Sequence, residues 1–75
     1  MAAEEKWTVV VEWEDSPVLD AKEIVVLGGC KSQAVCNACK EWTDEVRGVY
    51  PTARIVNAFA LKRGDRWLVD PGVFL

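Results

Sequence analysis

Cys36 and Cys39 lie one helical turn apart in the run Cys36-Asn37-Ala38-Cys39-Lys40. Two thiols so spaced can exchange with disulfides when helix-start amides hold one of them as thiolate. Cys is also a small hydrophobe, and core packing is the plainer reading of both residues. Cys30 adds a third sulfur, but the chain has no His and no fourth Cys. A four-coordinate zinc site would need a carboxylate or a second chain, so neither metal nor cofactor is expected. Without His there is no Ser–His–acid arrangement. Glu12 and Glu14 share one strand face, and with no cleft they read as a solvated edge rather than an acid–base pair. Gly28-Gly29 matches neither phosphate-loop pattern and reads as a turn.

The thiols sit in the clearest structural signal of the chain. Residues 32–47 predict a helix, with Ser32 as its cap, Gly48 as a left-handed terminator and Pro51 preventing a restart. Val35, Ala38, Trp42, Val46 and Val49 recur at helical spacing and form the stripe expected to face a sheet, with Cys39 beside it. Lys40, Glu41, Asp44, Glu45 and Arg47 lie off that stripe. The helix start falls about a turn before Cys36, so this thiol is expected within the helix rather than at its tip.

Strands flank the helix. Residues 6–14 alternate cleanly, with Trp7, Val9, Val11 and Trp13 on one face and Thr8, Val10, Glu12 and Glu14 on the other. Asp15-Ser16-Pro17 breaks this run, and residues 21–27 form a second strand, antiparallel to the first. A third strand spans 53–61, Arg63-Gly64-Asp65 makes a tight turn that requires a positive φ at Gly64, and a fourth spans 66–70. The expected fold class is therefore α+β: an antiparallel four-stranded sheet with one helix packed on one face (ββαββ). Residues 1–75 read as a single domain, with 1–5 as an acidic tail.

Size limits what such a domain can do. A 75-residue chain buries only about 60% of its unfolded surface, so its 51% apolar residues and four Trp are needed for folding. Little core remains in which to enclose a substrate cavity of several hundred Å³, which argues against an enzyme. A net charge of −3 disfavours direct binding of nucleic acid, whose phosphates recruit Lys and Arg. No apolar run approaches the ~20 residues that cross a bilayer, and no signal-peptide pattern opens the chain. An odd number of Cys fits a reducing, cytoplasmic compartment.

One helix covers one face of a sheet. The third strand reads with Ile55, Phe59 and Leu61 on one side, and with Val56, Ala58 and Ala60 on the other beside Arg54. Val10, Val56, Ala58 and Ala60 are thus expected on the uncovered face, an apolar contact surface unless Val73-Phe74-Leu75 folds back over it. Charge is segregated along the chain. Glu4, Glu5, Glu12, Glu14 and Asp15 precede position 16, whereas Arg54, Lys62, Arg63 and Arg66 cluster in the last hairpin. Such an arrangement can orient a small protein on a charged partner.

Two resemblances add to this reading. Ile24-Val25-Val26-Leu27, Cys36-Asn37-Ala38-Cys39-Lys40 and Pro51-Thr52 before a strand resemble the thioredoxin and glutaredoxin families. That likeness implies Cys36 as attacking thiol and Cys39 as resolving thiol. A second likeness covers about two thirds of the chain. It runs through Lys6-Trp7-Thr8-Val9-Val10-Val11-Glu12, the helix with Ala34, Ala38, Glu41 and Trp42, Tyr50-Pro51 and Arg54-Ile55-Val56. This plan resembles small bacteriophage-encoded inhibitors of host enzymes, of the coliphage RNA polymerase inhibitor type or the anti-CRISPR type. It implies a non-catalytic, cytoplasmic, phage-encoded module, monomeric or homodimeric, that docks on a larger host enzyme of nucleic-acid metabolism. The expected contacts are Glu12, Glu14 and Asp15 at one end, with Arg54, Arg63 and Arg66 on the hairpin. The alternatives are a thiol–disulfide protein using Cys36 and Cys39, and a homodimeric structural subunit meeting through the open sheet face or an edge strand.

Overall fold

The computed structural model describes residues 4–68. They form β1 (Glu5–Asp15), β2 (Val18–Gly28), α1 (Lys31–Val46), β3 (Arg54–Arg63) and β4 (Arg66–Trp67). The four strands make one antiparallel sheet in the order β2-β1-β3-β4, with α1 packed on one face. This is the α+β class expected from the sequence. Glu5, expected in the tail, is the first residue of β1. The expected end of the fourth strand and the Val73-Phe74-Leu75 tail lie outside the described residues.

The clean alternation of β1 makes it the centre of the sheet. Trp7, Val9, Val11 and Trp13 are all buried against α1. Only Ser16 and Pro17 separate β1 from β2, so β2 starts three residues earlier than its apolar run suggests. Eleven consecutive pairs then run without a break from Asp15 opposite Val18 to Glu5 opposite Gly28.

Cys30, rather than Ser32, is the N-cap of α1, and no side chain caps the free amides there. Gln33 at the third helical position reaches back, its Oε1 accepting the Gly29 N–H at 2.6 Å. That is half of a capping box, placed one residue further back than usual. The buried stripe is Ala34, Ala38, Trp42 and Val46, a strict four-residue repeat. Val35 is only partly buried, and Val49 is 70% exposed. The chain leaves the helix after Val46, whose carbonyl accepts both the Val49 and Tyr50 N–H groups, so helical phase no longer applies at Val49. Gly48 does not take the left-handed conformation expected of it; Gly64 is the one described residue with a positive φ, at +59°.

The third strand corrects the sequence reading most. Two β-bulges interrupt its pairing with β1, between Thr8 and Val9 and between Glu12 and Trp13. Each bulge shifts the alternation by one residue. Ala60 pairs with Val9, Ala58 with Val11 and Ile55 with Trp13, so all three face the helix. Ala60 is 2% exposed. Ala58 and Ala60 are therefore core residues rather than part of the open face. Phe59, opposite Val10, belongs to the open face instead.

Candidate protein-interaction surface

The face of the sheet away from α1 divides into two zones. β1 alternation directs Thr8, Val10, Glu12 and Glu14 to it. Towards one end, Glu12 lies opposite Asn57 and Glu14 opposite Arg54. Towards the other, Val10 lies opposite Phe59, Thr8 is flanked by Val25 and Lys62, and Lys62 pairs with Trp67. Val25, Leu27, Val56 and Trp67 are each more than half exposed. The Lys62 ammonium stands 4.3 Å from the centre of the Trp67 ring, and so places a cation on the apolar zone.

The six residues proposed for partner contact fall in two groups. Glu12, Glu14 and Arg54 gather at the polar end of the open face, and Asp15 lies at the same end of β1 with the parity of the opposite face. Arg54 Nε donates to Glu14 Oε1 at 2.6 Å, Asn57 donates to Glu12 at 3.2 Å, and the Thr52 hydroxyl donates to Asp15 at 2.7 Å. Arg63 and Arg66 lie at the opposite end of β3, beside the last turn. Arg63 pairs with Glu5 and stands 5.1 Å from the centre of the Trp7 ring. The Glu5 carboxylate, by hydrogen bond and charge, holds the Arg63 guanidinium above its ordinary pKa. Arg66 is exposed and forms no ion pair with another described residue. Because β3 lies beside β1, the acids and bases separated in the sequence interleave in space. These pairs are solvent-exposed, so screening by water leaves them little net contribution to stability.

The thiols occupy three different environments. Cys36 is exposed on the second turn of α1, and Cys39 is half-buried beside the stripe. Burial, then the neighbouring Cys36, pushes the Cys39 thiol above its ordinary pKa. Cys30 is fully exposed at the N-cap, its Sγ 3.4 Å from the Ser32 hydroxyl. That hydroxyl, with the backbone N–H groups of Gln33 and Ser32, lowers the Cys30 pKa. The acidified thiol is thus Cys30, which the Cys36–Cys39 spacing does not reveal. Its sequence signal is a Cys directly after Gly28-Gly29, with a hydroxyl two residues on at a helix start. Among the described residues, no three His, Cys, Asp or Glu side chains cluster as metal ligands would.

Two open grooves border β2 and α1. One, of about 530 Å³, is lined by Lys6, Val25, Val26, Leu27, Asn37 and Glu41. The other, of about 260 Å³, runs from Trp13 and the middle of β2 to Val49 and Tyr50. Among the described residues, no helix is long and apolar enough to cross a membrane. Comparison with protein-family models, with curated proteins and with solved structures returned no match.

Proposed function

We propose that this chain is a non-catalytic protein-binding module that docks through the open face of its sheet on a larger enzyme of nucleic-acid metabolism. A phage origin, a cytoplasmic setting and a target such as RNA polymerase or a CRISPR effector complete the reading. The observation that carries it is the open face itself. Apolar side chains, more than half exposed, adjoin a polar end built from Glu12, Glu14, Arg54 and Asn57. An apolar patch rimmed by polar residues is the usual anatomy of a protein contact. The net charge of −3 favours a basic partner surface, such as one that otherwise holds nucleic acid.

Affinity capture from a bacterial lysate, compared between wild type and a Glu12→Gln, Glu14→Gln, Asp15→Asn variant, tests this reading. A nucleic-acid enzyme retained by the wild type and lost by the variant supports it, and the purified enzyme should then be inhibited or activated by the wild type alone. Retention of the same proteins by both forms removes the polar end from the binding site.

A further inference from the structure

We propose that the free edge of β2 pairs with the β2 edge of a second copy. The two strands run antiparallel about a two-fold axis at Ala21, joining two four-stranded sheets into one of eight. This assembly does not depend on the docking reading, and its test uses this chain alone.

Among the described residues β2 is the outer strand of the sheet, and it pairs with β1 along all eleven residues with no bulge. Long, regular, unprotected edges are the ones that add a further strand. The two-residue turn makes Asp15 and Val18 a hydrogen-bonded pair, so the odd-numbered residues of β2 direct their N–H and C=O groups outward. Two contacts agree with this. Leu27 O accepts a bond from the Asn37 side chain at 3.0 Å, and the Ala21 N–H donates to the carboxylate of its neighbour Asp20 at 2.8 Å. The helix thus already occupies the Leu27 end of the edge. The stretch left for a partner runs from Leu19 to Val25.

Charge then selects the register. Centring the axis on Lys22 or on Glu23 sets like charges directly opposite each other, which is unfavourable. Centring it on Ile24 or Val25 leaves Lys22 opposite Val26 or Gly28 and pairs no charges. Centring it on Ala21 places Asp20 opposite Lys22 of the second copy, twice by symmetry. Both residues have inward-directed backbone groups, so each forms a non-hydrogen-bonded pair, the closer kind, with Cα atoms about 4.5 Å apart. The Ala21 N–H exchanges its local bond to Asp20 for the Ala21 carbonyl of the second copy. The released carboxylate then meets the opposing Lys22, which already leans to the helix side to pair with Glu45. A two-fold axis normal to the sheet keeps both helices on the same face. It also brings the groove beside Asp20 and Lys22, with its exposed Val49, next to the same groove of the second copy.

Sedimentation equilibrium of the wild type over a wide concentration range should show a monomer–dimer equilibrium. Asp20→Lys makes both cross-pairs repulsive and should raise the dissociation constant by at least about tenfold. The register is read by cross-linking in a background of Cys30→Ser, Cys36→Ser and Cys39→Ala, with Trp fluorescence verifying the fold. Under mild oxidation, Asp20→Cys chains mixed with Lys22→Cys chains should form a disulfide heterodimer, and neither chain alone should cross-link comparably. The proposal is overturned by a wild type that stays monomeric to millimolar concentration. It is equally overturned by a dimer in which the mixture gains no cross-link over the separate chains.

Discussion

Trp7 and Trp42 are both buried in the core, yet their indole N–H groups meet different fates. Trp7 Nε1 donates to the Gly28 carbonyl at 2.8 Å, which ties β1 to the end of β2. Trp42 Nε1 is buried and finds no partner among the described residues. A buried unsatisfied donor costs about 1–3 kcal/mol, while a satisfied one contributes about 1 kcal/mol. Replacing each indole by Phe removes similar apolar area, so the hydrogen bond decides the difference. Trp7→Phe is expected to destabilise the fold by at least ~1 kcal/mol more than Trp42→Phe in urea unfolding. Equal losses would contradict the assignment. The thiols offer a second test at this scale. Cys30 holds thiolate to lower pH than Cys39, because one pKa is depressed and the other raised. Alkylation rate against pH should therefore rise earlier for Cys30, and Ser32→Ala should move that rise to higher pH. Cys39 reacting at lower pH than Cys30 would contradict the account.

Glycines mark where the elements join. A Cβ on Gly28 would stand 3.1 Å from the Ala34 backbone nitrogen and 3.2 Å from its Cα, so helix and sheet approach closely at that point. Ala34 and Ala38, both fully buried, permit this approach, and Trp42 fills the wider space further along. Gly28→Ala is expected to cost about 1–3 kcal/mol by overpacking. Gly64→Ala should cost about 1 kcal/mol for its positive φ, with open space around it. Chemical denaturation of both variants would check these values. An unchanged midpoint for Gly28→Ala would show that the helix start can move away from the sheet. The same elements show what periodicity conveys and what it conceals. β1 was legible because four large apolar residues alternate without interruption over a buried face. The helix was legible through Ala38, Trp42 and Val46, but the ends of its buried stripe were not, Ala34 standing in place of Val35 and Val49 falling outside, nor was its first residue, since a hydroxyl at position 32 competes with Cys30 for the cap. β3 was illegible because two bulges change parity within ten residues, and a bulge leaves no mark in a pattern of period two. The proposed contact residues Glu12, Glu14 and Arg54 stand out individually in the sequence. The pairing of Glu14 with Arg54 and of Glu12 with Asn57 does not, because it depends on β3 lying beside β1 rather than beside β2.

The described residues form a sheet with one helix on it, 15 Å along the shortest principal axis. Two layers of this thickness bury one core and leave one sheet face uncovered by the other described residues. The two proposals accordingly place binding on surfaces: the open face for a partner enzyme, and the β2 edge for a second copy. These two uses are compatible, because the proposed seam spans residues 18–24 and leaves Val25, Leu27, Phe59 and Trp67 outside it. The docking surface is proposed to be the apolar zone of the open face. Its most direct test is quantitative capture from a bacterial lysate with wild type and with a Val25→Glu, Leu27→Glu variant, both shown to be folded by circular dichroism. A nucleic-acid enzyme held by the wild type is expected to be lost by the variant; equal retention of that enzyme by both would remove the apolar zone as the docking surface.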